Sequence, residues 1–172
     1  MQEKLNIYFA PDNWQANNDF HYTGEEYLKS VIPHGNTILD VGCGYNLFKD
    51  HYGDLLYGID PANPAADEMV TIEALEVVKK YDIALCLGSL NFGDEFTILS
   101  QINKVVQCIK TGGTIYWRQN PGQRDRPFKG NEDIDFFPWS FLNNCTLSDQ
   151  VGCKVIELKW DNDRIYAVWE KR

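Results

Sequence analysis

No stretch of this chain approaches the roughly 18 consecutive apolar residues of a membrane span. Its first residues, Met1-Gln2-Glu3-Lys4, offer neither the basic start nor the apolar run of a signal peptide. A cytoplasmic location is therefore the expectation. No two of the five cysteines (Cys43, Cys86, Cys108, Cys145, Cys153) stand in C-x-x-C spacing, and their number is odd. A disulfide framework or a zinc site is not expected from that arrangement. Cys43, Cys86 and Cys108 lie in apolar segments, where a reduced cysteine acts as a small hydrophobe. Basic charge is also scarce, with 16 basic against 25 acidic residues and a net charge of −9. Such a surface repels phosphate backbones and argues against general nucleic-acid binding. There is no internal repeat, low-complexity tract or linker.

What is present fits one soluble domain. The chain has 172 residues, 44% hydrophobic and 24% charged, enough to bury a core of its own. The most informative stretch is Ile38-Leu39-Asp40-Val41-Gly42-Cys43-Gly44-Tyr45-Asn46, an apolar strand that runs into a glycine-rich turn. Asp60 follows at the end of a second apolar run, Leu55-Leu56-Tyr57-Gly58-Ile59. A nucleotide-like ligand needs both parts. The glycines let it approach the backbone, and the carboxylate accepts hydrogen bonds from two ribose hydroxyls.

The rest of the chain alternates between strand and helix patterns. Residues 1–22 read as an irregular, polar and aromatic arm, and 23–172 as a single domain. Thr23-Gly24-Glu25-Glu26 has the form of a capping box, with Tyr27, Leu28, Val31 and Ile32 as the apolar stripe of the helix it opens. Pro33 and Gly35 stop that helix. Strands are predicted at 37–41, 55–59, 68–72, 81–87 and 114–117. A short helix is predicted after the glycine turn, to about residue 50. A longer one carries Ile98, Ile102, Val105, Val106 and Ile109, and ends at Gly112-Gly113. Residues 139–151 read as helix. Strands at 153–159 and 164–169 flank a hairpin signal at Trp160-Asp161-Asn162-Asp163. Alternation of this kind implies a mostly parallel sheet with helices on both faces and an antiparallel terminal hairpin.

Over residues 20–172 the chain resembles the class I S-adenosylmethionine-dependent methyltransferases. More weakly, it is similar to small methyltransferase-like proteins of tailed phages. The family resemblance implies a Rossmann-like, seven-stranded sheet with a reversed terminal hairpin, and S-adenosylmethionine as cofactor. It implies that Asp40, Gly42, Cys43 and Gly44 form the first motif, with Asp40 facing the cofactor's amino group. Asp60, followed by Pro61, matches the acidic residue that grips the ribose. Glu73-Ala74 resembles the pair that meets the adenine. Leu87 and Gly88 begin the segment lining the methyl-transfer site, which continues through Ser89-Leu90-Asn91. Where the family has a third glycine, this chain has Asn46. Asparagine tolerates a left-handed backbone, but it adds a side chain near the cofactor.

No fixed catalytic residue is expected, because a sulfonium methyl needs positioning more than activation. Asn91, Arg118, Asn120 and Tyr22 are the candidates on the acceptor side. His21 stands with Tyr22 as a candidate contact in a lid. The chain lacks the Asn/Asp-Pro-Pro-aromatic motif of exocyclic-amine enzymes and the Pro-Cys nucleophile of cytosine-C5 enzymes. Glu132, Asp133 and Asp135 read as a solvated loop rather than metal ligands. Arg118, Arg124, Arg126 and Lys129, opposed only by Asp125, give +3 within twelve residues, while the remaining chain sums to −12. That loop points to an anionic small molecule as acceptor; a protein side chain is the other class. Two alternatives stay open. One is a non-catalytic S-adenosylmethionine- or S-adenosylhomocysteine-binding or assembly protein. The other is a nicotinamide-binding fold, which needs G-x-G-x-x-G where this chain ends the pattern in Leu47.

Overall fold

The structure, a computed structural model, describes residues 2–10, 20–121 and 134–172. Its sheet grows outward from β1 (Ile38–Val41), a strand with all four residues buried. A parallel strand covered on both sides must read as a continuous apolar run, and this one does apart from Asp40. β2 (Leu56–Ile59) pairs parallel with one edge of β1, and β3 (Tyr81–Leu87) with the other. β4 (Ile109–Gln119) lies parallel to β3. β6 (Arg164–Lys171) is antiparallel to β4, and β5 (Cys153–Asp161) closes the edge antiparallel to β6. The order is β2-β1-β3-β4-β6-β5 in a six-stranded sheet. The chain therefore leaves β1 for one side and returns to the other, and a crevice opens where the order reverses.

The helices are α1 (Gln2–Tyr8), α2 (Glu25–Val31), α3 (Lys49–Tyr52), α4 (Glu95–Cys108) and α5 (Phe141–Gln150). Buried residues divide by strand parity into two clusters. One joins Leu39, Ala84, Cys86 and Trp117 to Ile98 of α4 and Leu147 of α5. The other joins Ile38, Ile83 and Leu85 to Leu28 of α2 and Tyr52 of α3. Asp94 starts α4 by accepting from the Thr97 amide at 2.8 Å, and Ser140 starts α5 by accepting from the Asn143 amide at 3.0 Å.

Four expectations need correction. The predicted strand at 68–72 is a single parallel bridge, Ile59 to Glu68, so the sheet has six strands among the described residues rather than seven. The Asp67 carboxylate takes the Gly58 amide at 2.8 Å, and the amides of Asp67 and Glu68 both turn to the Gly58 carbonyl. This local crossing uses up the β2 edge. The chain then coils into a turn in which the Ala74 and Leu75 amides share the Thr71 carbonyl.

The Thr23 capping box does not form either. α2 has no side-chain cap, and Thr23 donates both its amide and its hydroxyl to Asp161. A buried carboxylate across the molecule outcompetes a neighbouring amide. The third correction is at the end of α4, which stops at Cys108; Ile109, expected to end the helix, opens β4 instead. β4 carries Gly112 at φ 76° and Gly113 within its length, and a Cβ on Gly113 would lie 2.6 Å from the Asp82 carbonyl oxygen. The glycines thus serve a close backbone crossing, not a helix stop. Finally, residues 2–8 of the supposedly irregular arm are helical.

Candidate functional site

The glycine turn is built against the end of β2. The amides of Gly42 and Cys43 both donate to the Ile59 carbonyl, at 2.8 and 3.0 Å. Gly42, Gly44 and Asn46 all have positive φ, at 70°, 54° and 55°. Asn46 thus adopts the left-handed conformation that its position requires. Gly42 is also fixed by packing, since a Cβ there would lie 2.4 Å from the Ser89 Cβ. The turn after β1 and the turn after β3 touch at this point.

Asp60 ties the turn to the next loop. Its Oδ2 accepts from the Gly44 amide at 3.0 Å, and its Oδ1 accepts from the amides of Ala62 and Asn63 at 2.8 and 2.9 Å. A carboxylate has about four acceptor positions, so among the described residues one stays open, on Oδ2. The expectation of two ribose hydroxyls becomes room for one without loss of a backbone bond. Asn46 also differs from expectation. Its Nδ2 donates to the Ala65 carbonyl at 3.1 Å, and its Oδ1 lies against Gly58. The side chain faces β2 and not the crevice.

Above these turns lies a cleft of about 820 Å³ at the carboxyl ends of β1, β2, β3 and β4. Gly42, Gly44, Asp60 and Pro61 supply one wall, and Leu87 and Gly88 another. Glu73 reaches the cleft rim, where its carboxylate accepts from the Gln101 amide at 2.6 Å. Asn91, Arg118 and Asn120 also line it. Asn91 bridges the two strand ends, donating to the Gly88 carbonyl at 2.9 Å and accepting from the Asn120 amide at 2.9 Å.

Other candidates lie off the cleft surface. Asp40 sits in the strand beneath the turn, and the Cys43 sulfur faces Gly58. Ala74 is exposed in a turn. Tyr22 is half-buried, stacked on Tyr166 with ring centroids 5.6 Å apart, and the Lys159 ammonium lies 3.8 Å over its ring. His21 packs on Tyr22. The pair anchors the N-terminal segment to the hairpin and does not reach the cleft. Arg124, Arg126, Lys129, Glu132 and Asp133 lie outside the described residues, so of the basic loop only Arg118 is placed.

The structure adds residues that the motifs did not single out. Leu5, Tyr8 and Phe9 of the α1 segment line the cleft, and Phe9 packs edge-on against Phe92 at 5.4 Å. Phe20 covers the Arg118 guanidinium at 4.7 Å. Ser89 lines the cleft with a buried hydroxyl that has no hydrogen-bond partner among the described residues. Arg164 reaches it from the hairpin. The aromatic content of the first 22 residues was the sequence signal for the α1 segment and Phe20, and Ser89 stood in the segment after β3 that the resemblance had marked. Arg164 depends on strand register, which no local motif reports.

The electrostatics centre on Asp40 and Arg118. Burial, and then the nearby Asp60, push the Asp40 carboxyl up to about 7, while Arg118 partly offsets both. Burial and Arg164 lower the Arg118 guanidinium to about 10, against the pull of Asp161 and Asp40. Among the described residues no group of three or more His, Cys, Asp or Glu is placed to hold a metal ion, and no helix is long and apolar enough to cross a membrane.

No family profile matches this chain, and no curated protein matches it in sequence. Solved structures do. A chain of the Haloferax volcanii complex containing the Trm112 methyltransferase activator aligns with a TM-score of 0.73 and 14% identity, over 98% of this chain and 96% of that one. The 1,6-didemethyltoxoflavin-N1-methyltransferase of Burkholderia thailandensis, with bound S-adenosylhomocysteine, aligns at 0.68 and 11% identity, over 85% and 75%. The magnesium protoporphyrin IX methyltransferase of Synechocystis, with bound S-adenosylmethionine, aligns at 0.61 and 11%, over 81% and 71%. The chain has the class I S-adenosylmethionine-dependent methyltransferase fold. Nothing in these likenesses supports the weaker resemblance to tailed-phage proteins.

Proposed function

We propose that this protein is a methyltransferase that uses S-adenosylmethionine. The observation that carries this reading is Asp60. It stands at the end of β2, holds the Gly44 turn, keeps one acceptor position open, and lines an 820 Å³ cleft at the switch point of the sheet. The residues present fit the cofactor. An open carboxylate position suits a ribose hydroxyl, the backbone at Gly42 and Gly44 allows close approach, and Ser89 offers an orphaned hydroxyl.

S-adenosylmethionine supplies an electrophilic sulfonium methyl for in-line attack by the acceptor. The protein's own contribution is positioning. Asp60 and the glycine turn hold one end of the cleft, and Asn91 fixes the geometry between β3 and β4. α1 and Phe20 form the side away from the sheet and serve as a lid that excludes water. The acceptor enters toward the hairpin, where Asn120 and Arg164 line the cleft. It is a small molecule or a protein side chain. An anionic small molecule would meet Arg164 there, and the sequence adds Arg124, Arg126 and Lys129 nearby in the chain.

Calorimetric titration of S-adenosylmethionine and S-adenosylhomocysteine into wild type and Asp60→Ala tests the reading. Micromolar binding to wild type is expected, with at least a tenfold loss in the variant while circular dichroism stays native. Absence of binding to wild type would overturn it. A non-catalytic binding protein would pass this test, and would then fail to turn over any member of a panel of matched acidic and neutral acceptors.

A further inference from the structure

β5 is the outermost strand on one side of the sheet, and among the described residues no strand pairs with its outer side. An unpaired edge offers backbone donors and acceptors to any strand that reaches it. The hairpin geometry says which residues offer them. Asn162 and Asp163 form a two-residue loop, closed by the pair Asp161 and Arg164. Such a loop closes on a hydrogen-bonded pair, and the pattern then alternates along the ladder. Trp160 and Leu158, opposite Ile165 and Ala167, therefore turn their amides and carbonyls away from β6.

The side chains along that edge are apolar on one face and charged on the other. Trp160 is 55% exposed, Ile156 47% and Leu142, in the first turn of α5, 76%. Phe141, at the start of α5, stacks on Trp160 with ring centroids 5.7 Å apart. Together these four expose roughly 400 Å² of side chain, the size at which an apolar patch on a single chain marks an interaction site. Glu157 and Lys159 lie on the opposite face, opposite Val168 and Tyr166, and pair with each other at 3.0 Å. Ile156 is the extra residue of a bulge, between Val155 opposite Trp169 and Glu157 opposite Val168.

A strand that fits this edge carries apolar residues on one face and alternating charge on the other. β5 itself has that pattern. Two copies related by a twofold axis through Leu158 would run antiparallel, with Glu157 of each opposite Lys159 of the other and Ile156 opposite Trp160. An axis through Glu157 would instead oppose two carboxylates, and one through Lys159 two ammonium groups. We propose that the β5 edge is a self-complementary interface at which a second copy of this chain docks, with its twofold axis at Leu158. The contact is isologous, so it uses up both edges and closes at two chains. The bulge at Ile156 ends the ladder and holds it to the short stretch 156–160. Two such patches bring roughly 800 Å² of apolar surface together, with a polar rim beyond it, which is the lower end of stable interfaces and fits micromolar association.

The test is sedimentation velocity of the full chain, without ligand, from about 1 to about 200 µM. The weight-average mass is expected to rise from 19.8 kDa toward twice that value. Trp160→Lys and Glu157→Lys are each expected to raise the dissociation constant at least tenfold, with melting temperatures recorded. Adding Lys159→Glu to Glu157→Lys reinstates opposite charges across the axis and is expected to restore the dimer. Hydrogen exchange on wild type needs no variant: the Leu158 and Trp160 amides are expected to be protected at the high concentration and not at the low one. A wild type that stays monomeric at the top of the range overturns the proposal. So does a dimer that survives both Trp160→Lys and Glu157→Lys, or one whose Leu158 and Trp160 amides exchange as fast as in the monomer. None of these results bears on the cofactor reading, which the titrations above test separately.

Discussion

Asp40 offers a prediction that needs no ligand. Its carboxyl is buried at 4% exposure and raised from 3.8 to about 7. A raised acid is protonated in the folded state over a range where the unfolded chain has already ionised. Below pH 4 both states are protonated and nothing is lost. Between pH 4 and 7 the unfolded state gives up its proton and the folded state does not, so wild-type stability falls as pH rises. Above pH 7 the full cost is present, about 4 kcal/mol from the difference between 3.8 and 7. Asparagine at this position does not titrate and escapes that fall. Its amide brings a donor that needs a partner, at about 1–3 kcal/mol. Asp40→Asn is therefore expected to gain a net stability of about 1–3 kcal/mol at pH 8, or about 3–10 °C for a chain of this size. At pH 4.5 most of that gain should vanish. Thermal unfolding by circular dichroism at the two pH values, without ligand, is the assay. The informative quantity is the change in the variant-minus-wild-type difference between them. A change below about 1 °C would refute the claim that this carboxyl is held in its neutral form by burial.

Two further substitutions probe the supports of the cleft. Gly58→Ala would place a Cβ 2.5 Å from Asn46 Oδ1 and 2.9 Å from the Cys43 sulfur, so a loss of about 1–3 kcal/mol is expected. The double variant Asn46→Gly/Gly58→Ala should recover part of it in urea unfolding; a strictly additive loss would mean that the two side chains do not collide. Asp161→Ala removes the acceptor of three backbone amides and the Thr23 hydroxyl. It is expected to expose the segment before α2 to limited proteolysis well below the global melting temperature, whereas unchanged cleavage would show that the aromatic stack alone holds the segment.

The inner strands β1, β2 and β3 were legible because each is largely a run of apolar residues bounded by turn residues, and the terminal hairpin because of its turn signal. The glycine turn after β1 was legible because its glycines are set by backbone geometry that only a few residue types satisfy. Where expectation failed, a distant group had intervened. Thr23 had the right local partners for a cap, but Asp161, 138 residues away, took its hydroxyl. The segment at 68–72 had strand-like residues, but Asp67 supplied a side-chain acceptor where a sheet needs a backbone one. Arg164 entered the cleft only through the register of β4 against β6, in which Arg118 faces Tyr166 and Arg164, two residues before it, falls on the same face. Local patterns report propensity and periodicity. They do not report which long-range acceptor will be buried beside them.

The three buried aspartates near the cleft divide the work by how many donors each receives. Asp60 takes three backbone amides and becomes the pin between the glycine turn and the loop after β2. Asp161 takes three amides and a hydroxyl, and pins the start of α2 to the hairpin that carries Arg164. For Asp40 the influences are burial, Asp60 and Arg118, and hydrogen bonding is not among them. A buried carboxyl left in that state costs stability unless something else keeps it. Apolar substitution would be cheaper for the fold alone, since Asp40 interrupts an otherwise continuous apolar strand. A cation arriving in the cleft would reverse the cost, drawing the carboxyl back to its ionised form at neutral pH.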